Sequence, residues 1–309
     1  MHAWEAVDQS LNFIEEHLKE DIATEYLADS VGLSPFYFQR LFRRLVKKPI
    51  QEYVKLRRLA RAVEALKDSE QRILDIALEY GFSGHGNFTR AFKETYGITP
   101  EEYRKELQML NIFERPEISM NYILIEEGVP LIVGGMVLEI CRKTLERPEH
   151  YLGFETEVKI ARQAPVGESI GVDVPGQLWC RYHREKHFAA PYLKGGMEMG
   201  MSHSADPGQG TFLYFAGGLA KNVPDIKTAL DKSAAGFIER ELPAGEYIVC
   251  RIEAENFEDL VTTALDQAHK YLFETWLPHH DLATEPFSAE KYDRDMKDMD
   301  CMEIWVRRI

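Results

Sequence analysis

VGLSPFYFQRLFRRL, residues 31–45, and YGFSGHGNFTRAFKET, residues 80–95, share one pattern. Each has an apolar or aromatic residue, Gly, an apolar residue and Ser, followed by an Arg two residues before a Phe. The glycine in each copy predicts the end of a short helix, because glycine adopts the left-handed backbone conformation at little cost. In the first copy, Ser34 predicts an N-cap and Pro35 the first position of the next helix. Helix, glycine turn and helix is the helix-turn-helix layout, here present twice.

The residues around the two copies also have helical periodicity. WEAVDQSLNFIEEHL, TEYLADSV, RILDIALEY and ITPEEYRKEL each predict one helix. IQEYVKLRRLARAVEALKDS, between the copies, predicts a single helix of about twenty residues and a length of ~30 Å. That length is close to the ~34 Å between successive major-groove faces of B-DNA. Two helix-turn-helix units on one rigid helix could therefore enter two adjacent major grooves without a dimer.

The charge of the chain is divided unevenly. The formal net charge is −14, but residues 1–108 hold 16 Lys and Arg against 18 Asp and Glu, and residues 109–309 hold 21 against 33. Nine basic residues and a single acid lie between Arg40 and Arg61. This distribution predicts a basic face on an otherwise acidic protein, which suits a nucleic-acid partner.

Length and composition exclude several classes of protein. A chain of 309 residues predicts about two domains. No apolar run is long enough for a membrane span, the N-terminus lacks a secretory signal, and the four cysteines form no C-x-x-C pair, so we expect a cytoplasmic protein. We expect no cofactor, no metal and no catalytic residue. His183 and His187 have metal-ligand spacing but lack a third ligand, and a solvated helix face is the preferred interpretation.

Residues 1–108 resemble the AraC/XylS-type DNA-binding domain, in which a long helix joins two helix-turn-helix units. The resemblance rests on LADSVGLSPFYFQRLFRR, YVKLRRLARAVEAL and ILDIALEYGFSGHGNFTRAFKETYGITPEEYR. It implies DNA contacts by Phe36, Gln39, Arg40, His85, Asn87 and Arg90. Arg43, Arg44 and Lys48 would bind phosphates and fix the register. The two glycines of SGHGNF depart from the family and are expected to fray the second recognition helix.

After a linker over residues 109–118, residues 119–309 change in character. Short β-rich runs alternate with two helical stretches, GQLWCRYHREKHF and FEDLVTTALDQAHKYLFETWL; the runs are MNYILIEE, LIVGGMVLEI, MEMGMS, TFLYFAGGL, EYIVCRIEA and CMEIWVRRI. This order predicts an internal duplication in an α+β domain, an antiparallel sheet with helices on one side. LPAGEYIVCRIE, TWLPHH, EPFSAEKYD and the last run resemble the GyrI-like (Rob-type) effector-binding domain. The predicted fold class is thus multidomain, an all-α double helix-turn-helix domain followed by this duplicated domain.

The last strand suggests where an effector would bind. Alternation puts Glu303 and Trp305 on one face and the aliphatic Met302, Ile304 and Val306 on the other, which we expect to pack on the helices. The resemblance places a ligand cleft on the Glu303 face, and a carboxylate beside aromatic rings suits an apolar or cationic ligand. The predicted effector-binding residues are Trp179, Tyr247, Trp276, Tyr292, Glu303 and Trp305. In the alternative interpretation these aromatic residues are ordinary core and Glu303 lies at the rim.

The sequence predicts a transcription regulator that binds double-stranded DNA in two adjacent major grooves. Its second domain would bind a small-molecule effector, and RNA polymerase is a further expected partner; no membrane partner is expected. The alternative is a DNA-tethered GyrI-like hydrolase that acts on a small electrophilic ligand with Glu303 as base. Without a second catalytic group beside Glu303, sensing is favoured.

Overall fold

The structure is a computed structural model that describes residues 3–68, 70–159, 170–206, 208–221, 236–295 and 301–309. The chain forms two compact units. The first contains the described residues up to 123 together with 170–172, and the second contains the remainder. The first unit thus extends past the predicted linker and includes a short segment from later in the chain.

Seven α-helices lie in the described part of the first unit: α1 (Ala3–Glu16), α2 (Thr24–Ser30), α3 (Pro35–Val46), α4 (Ile50–Leu66), α5 (Ile73–Glu79), α6 (His85–Tyr96) and α7 (Pro100–Glu106). The glycine turns that separate α2 from α3 and α5 from α6 have positive φ at Gly32 and Gly81, as the sequence predicts. A Cβ atom at Gly81 would lie 2.7 Å from the guanidinium of Arg58, so a residue with a side chain would have to displace the Arg58 side chain as well as adopt a positive φ.

Each helix-turn-helix unit has its own hydrophobic core, and α4 contributes to both. Phe38 and Phe42 of α3 pack in the first core with Tyr53 of α4. The second core contains Leu59 of α4 with phenylalanines of α6. α4 has 17 residues, a length of about 25 Å, and ends before the last residues of the predicted helix.

The second unit is built around an antiparallel sheet. Its described strands are β2 (Leu131–Val133), β3 (Met136–Leu145), β4 (Glu149–Lys159), β6 (Leu193–Asp206), β7 (Thr211–Ala220), β8 (Ile238–Leu242), β9 (Gly245–Ala254), β10 (Ser288–Asp293) and β11 (Cys301–Arg307). The two remaining strands, β1 (Leu110–Asn111) and β5 (Gly171–Val172), pair with each other in the first unit. The described sheet has the order β2-β3-β9-β11-β10-β6-β7-β4-β8.

Among the described residues, two long helical segments accompany this sheet. α8 (Val174–Glu185) precedes β6, and a composite helix over residues 257–279 precedes β10. The composite helix alternates α-helical pieces with the π-helical turns Leu260–Ala264 and Tyr271–Trp276. Two strands, a helix and two strands therefore occur twice, which agrees with the predicted duplication and extends each repeat by one strand.

One strand assignment from the sequence is wrong, and three strands of the sheet, β4, β8 and β10, lie outside the predicted β-rich runs. MNYILIEE, residues 120–127, begins in the 3₁₀ helix Ile118–Tyr122 and continues as non-strand backbone. Its buried residues are Met120 and Ile125, which do not follow the alternation of a half-buried strand. β4 was not predicted. Its Gly153 lies opposite Gly217 of β7, and a Cβ atom there would lie 1.9 Å from the carbonyl oxygen of Ala216, so the close approach of β4 and β7 requires glycine.

Candidate functional site

The first recognition helix, α3, begins as the sequence predicts. The Ser34 hydroxyl accepts a hydrogen bond from the backbone N–H of Tyr37 at 3.4 Å, and Pro35 occupies the first helical position. Phe38 and Phe42 of α3 are buried, whereas Phe36, Gln39 and Arg40 are exposed to solvent. Phe36 is 71% exposed, and the Arg40 guanidinium lies 5.9 Å from its ring centroid. An exposed large aromatic residue next to an arginine is a ready contact surface for a partner.

The second recognition helix, α6, has the same length but a different N-terminus. Gly84 is its N-cap, with no side-chain cap hydrogen bond, and the helix begins at His85. One of the two glycines therefore precedes the helix, and Gly86 lies in its first turn. His85, Asn87 and Arg90 are exposed, and His85 Nε2 lies 2.8 Å from Glu101 Oε1.

The phosphate-binding candidates differ in exposure. Arg43 and Arg44 are exposed on the last turn of α3. Lys48 is partly buried, and its ammonium lies 5.3 Å from the ring centroid of Phe113. The arginines are thus the better placed of the three for contact with a DNA backbone.

The predicted basic face is smaller than the sequence count suggests. Arg57 is only 4% exposed; its guanidinium pairs with Glu15 at 2.8 and 2.9 Å, lies 3.5 Å from Glu114 and donates to the carbonyl oxygen of Phe113. Arg58 donates to backbone carbonyls of residues 18 and 20. Both arginines bind neighbouring chain segments; Arg57 is buried and Arg58 is partly buried, so neither is fully available to a partner.

In the second unit, the two faces of the sheet have different surroundings. We call the side that α8 and the composite helix cover the helix face, defined by Tyr214, Glu290 and Tyr292, and the opposite side the far face, defined by Lys291, Glu303 and Trp305. On β11, the aliphatic residues Met302, Ile304 and Val306 pair with Ile252, Cys250 and Ile248 of β9. The composite helix contacts β9. The predicted assignment of the two faces of this strand is therefore confirmed.

The six predicted effector residues fall into three places. Trp179 and Tyr292 meet on the helix face, with ring centroids 5.4 Å apart. Trp276 is buried in the composite helix and donates to the Ile125 carbonyl oxygen at 3.0 Å. The remaining three, Tyr247, Glu303 and Trp305, come together on the far face.

On the helix face, two carboxylates lie among aromatic rings. Glu198 of β6 accepts from Tyr292 at 2.9 Å and from Lys186 at 2.8 Å. Glu290 accepts from the Tyr214 hydroxyl at 2.8 Å, and Trp179 donates to the same hydroxyl at 3.1 Å. Burial and the Glu290 charge raise the pKa of Tyr214 well above its ordinary value, so Tyr214 stays a donor. This network ties α8 to the sheet.

His183, interpreted from the sequence as part of a solvated face, also lies at this network. Its Nε2 lies 3.4 Å from Glu198, and its ring lies 5.5 Å from that of Trp179. Burial lowers the pKa of His183, which favours the neutral ring. Over the part of the chain that the structure describes, no cluster of His, Cys, Asp and Glu is arranged to hold a metal ion.

On the far face, Trp305 is the centre of a second cluster. Its indole N–H donates to Glu303 at 2.9 Å, and the Tyr247 ring lies 5.2 Å away. Burial raises the pKa of Tyr247 to about 12, and its hydroxyl donates to the Pro243 carbonyl oxygen at 2.5 Å. Lys291 and Lys143 lie with their ammonium groups 4.2 and 5.6 Å from the centroid of the Trp305 ring.

The sequence prediction missed most of the polar side chains of this cluster. Lys143 pairs with Glu303 at 2.5 Å, and Lys291 pairs with Glu149 at 2.7 Å, whose carboxylate also accepts from Tyr151 at 2.6 Å. Lys291 could have been found, because it alternates with Tyr292 on one strand and must lie on the opposite face. Lys143 and Glu149 could not, because their strands meet Trp305 only through the sheet order.

Methionine side chains line the apolar part of the far face. Met197, Met199 and Met201 alternate along β6 and pack in the cluster that contains Trp305, together with Phe215 of the neighbouring strand. Methionine is flexible and polarisable, so such a surface adapts to ligands of different shape. The run MEMGM carries this signal in the sequence.

The chain thus combines a double helix-turn-helix unit with a sheet that has a charged, aromatic and methionine-lined face. Residues 27–106 match the sequence profile of a helix-turn-helix domain, and residues 148–308 match that of the GyrI-like small molecule binding domain. The chain belongs to the GyrI-like small molecule binding domain family, with a helix-turn-helix domain before it.

Curated relatives match about a third of the chain. The HTH-type transcriptional regulator YbfP of Bacillus subtilis is 41% identical over 104 residues, 34% of this chain and 35% of that protein. The transcriptional regulator Rob of Salmonella typhimurium is 32% identical over 117 residues, 38% of this chain and 40% of that protein. The chain therefore spans less than half the length of these curated relatives.

Among solved structures, SAV2435 bound to tetraphenylphosphonium is 16% identical, with a TM-score of 0.39, over 55% of this chain and 94% of that one.

In the described residues, no helix is both long and apolar enough to cross a membrane.

Proposed function

We propose that this chain is a cytoplasmic, DNA-binding transcription regulator whose second unit binds a small molecule. The observation that carries the first half is the repeated arrangement of α3 and α6. Each follows a glycine turn, buries two phenylalanines in its own core and leaves an arginine exposed, Arg40 or Arg90. Arginine and glutamine at the exposed face of a recognition helix are the groups that read bases in the major groove.

The contacts divide into two roles in this proposal. Phe36, Gln39 and Arg40 lie on the first two turns of α3, where a recognition helix meets base edges. Arg43 and Arg44 lie on its last turn and would bind phosphates, which position the protein without reading sequence. His85, Asn87 and Arg90 lie on the first two turns of α6, where Arg90 has the position that Arg40 has on α3. A regulator bound in this way acts on transcription, so we include RNA polymerase as a proposed partner.

The test compares two exposed arginines on α3. A duplex selected by the full chain from a random pool is compared with a random duplex, and affinity is measured for the wild type, Arg40→Ala and Arg44→Ala. Arg40→Ala should cost about 1–3 kcal/mol on the selected duplex and little on the random one. Arg44→Ala should weaken both about equally and reduce the salt dependence. Equal losses on both duplexes for Arg40→Ala would contradict a base-reading role.

The proposed effector site is the far face around Trp305. The apolar part of this face is rich in methionine. Trp305 and Tyr247 contribute aromatic rings, and Glu303 contributes a carboxylate. These groups suit a lipophilic cation, which gains from ring contact and from pairing with the carboxylate.

A matched pair of tryptophans tests this location. Tetraphenylphosphonium is a suitable probe because it is a lipophilic monovalent cation. Trp305→Leu on the far face should weaken its binding by about tenfold, whereas Trp179→Leu on the helix face should leave it within about twofold. The reverse order would move the effector site to the helix face.

The hydrolase alternative would use Glu303 as a general base. Both of its carboxylate oxygens already accept hydrogen bonds, one from Lys143 and one from Trp305. This arrangement favours binding over proton abstraction, because a base needs a free oxygen that faces the proton. Mass spectrometry of candidate electrophiles after incubation with the full chain separates the two: a sensor returns them unchanged.

A further inference from the structure

Lys143 holds the position on Trp305 that a cationic effector would need. Its ammonium lies 5.6 Å from the ring centroid and 2.5 Å from the Glu303 carboxylate, the same two groups that the proposed effector site offers to a cation. We propose that Lys143 is a built-in competitor, which an effector cation must displace in order to bind, and that it thereby sets the specificity of the site. This inference rests on the proposed function.

Trp305 lies between two lysines that differ in their freedom to move. The side chain of Lys291 is only 7% exposed and is paired with Glu149, while that of Lys143 is 40% exposed and that of Glu303 is 24% exposed. Moving Lys291 would leave a buried ammonium without its Glu149 partner, which is unfavourable. Lys143 can instead swing into water, where its ammonium is well solvated and its flexible stem gains conformational freedom.

The charges of the cluster are balanced as it stands. Each lysine faces one glutamate, Lys143 with Glu303 and Lys291 with Glu149. A neutral ligand that displaced Lys143 would leave Glu303 partly buried and unpaired, which is unfavourable. A cationic ligand would pair with Glu303 in place of Lys143, whereas an anionic ligand would be repelled by the Glu303 carboxylate. Displacement of Lys143 therefore selects apolar monocations over neutral and anionic molecules of the same shape.

This arrangement predicts that removal of the Lys143 ammonium increases the affinity for a cation. Without the Lys143 ammonium, Glu303 lacks its lysine partner, and a ligand cation no longer competes with Lys143 for Glu303 and the Trp305 ring. Lys143→Met keeps the length and apolar stem of the side chain and should bind a lipophilic cation more tightly than the wild type. Lys143→Arg keeps a cation that can stack on an aromatic ring, and it should not bind more tightly than the wild type.

The experiment measures binding of tetraphenylphosphonium to the full chain by calorimetry. Lys143→Met should tighten binding by about tenfold, the scale of one partly desolvated cation–ring contact. The control is Arg142→Met, which removes one positive charge from the adjacent position of β3, where Arg142 pairs with Glu127 at 3.0 Å. Because its ion pair is exposed, it should change affinity by less than about twofold.

Further measurements distinguish the failure of this inference from the failure of the proposed function. If the wild type binds the probe and Glu303→Gln weakens binding, the site stands; unchanged or weaker binding by Lys143→Met then overturns only the role of Lys143. If neither the wild type nor any variant binds the probe, the proposed effector site itself fails. An anionic apolar probe, 8-anilinonaphthalene-1-sulfonate, should not bind more tightly to Lys143→Met. Tightening of both probes would show a vacated space rather than a displaced charge, and would also overturn the inference.

Discussion

The two helix-turn-helix units of this chain are alike in their cores and differ where their recognition helices begin. α3 and α6 have twelve residues each and bury phenylalanines at the same spacing, Phe38 with Phe42 and Phe88 with Phe92. α3 has a serine cap, while α6 begins after Gly84 without a side-chain cap. The comparison teaches that packing against α4 keeps both helices in place, because most helix stability in a folded protein comes from the buried face.

The units also differ in how they are fastened. Arg57 of α4 joins the first helix-turn-helix unit to Glu15 of α1 and to the chain after α7. It does so through a buried set of ion pairs and a backbone hydrogen bond. At the other end of α4, Arg104 of α7 donates to the Leu66 carbonyl oxygen at 3.3 Å. The stability of the first helix-turn-helix unit therefore depends on a buried charge, and that of the second helix-turn-helix unit depends mainly on apolar packing.

Loss of Arg57 should have the largest effect. Arg57→Met leaves Glu15 partly buried without its main partner and should reduce the free energy of unfolding of the first unit by about 3–5 kcal/mol. Urea denaturation followed by circular dichroism measures the change. Arg61→Met is the control, since Arg61 lies 3.5 Å from the same Glu15 but is 55% exposed, and it should cost less than about 1 kcal/mol. Equal costs for the two variants would contradict the fastening role of Arg57.

The same ion pair gives the next effect, a dependence of stability on pH. Burial acts to raise the pKa of Glu15, but hydrogen bonds and charge from Arg57 outweigh it, so the pKa lies below its ordinary value of 4.5. A carboxylate with a lowered pKa contributes stability that is complete above its unfolded value and is lost as the pH falls through the folded value.

The measurement compares the wild type with Glu15→Gln in urea from about pH 6 to about pH 3. The stability advantage of the wild type should be constant at the upper end of this range and should shrink below about pH 4.5. A difference that stays constant down to the lowest pH would mean that Glu15 does not titrate with folding.

The helix starts give the smallest effects, with opposite signs in the two units. Ser34→Ala removes the cap of α3 and should cost about 1 kcal/mol. Gly86→Ala in the first turn of α6 should add about 0.5–1 kcal/mol, because a Cβ atom there meets nothing within 4 Å and alanine favours the helix. Thermal unfolding of both variants measures the changes. A loss of stability in Gly86→Ala would show that the glycine is needed for more than its missing side chain.

The first unit could be predicted largely from the sequence, because its signals are local. Glycine turns, Ser34 and Pro35 determine where α3 begins, whatever the rest of the chain does. Arg57 could not be recognised, since a buried arginine and an exposed one have the same periodicity when both lie on a long helix. Only the fold brings Glu15 and the chain after α7 to it.

The candidate effector site was predictable only in part, for a similar reason. Alternation along β11 correctly separated Trp305 from its aliphatic neighbours. It could not relate Trp305 to Trp179 or Tyr292, because the faces of different elements depend on the sheet order and on where α8 packs. Lys143 and Lys291 reach the indole from two other strands, and no sequence pattern links them to it.

The central claim is that one chain places both recognition helices on one face of a duplex. It is tested most directly by inserting about five base pairs, half a helical turn, between the two half-sites of a selected duplex whose centres lie about 10 bp apart. We expect the affinity to fall to that of a random duplex, because the second half-site then faces away from α6. Unchanged affinity after the insertion would contradict it.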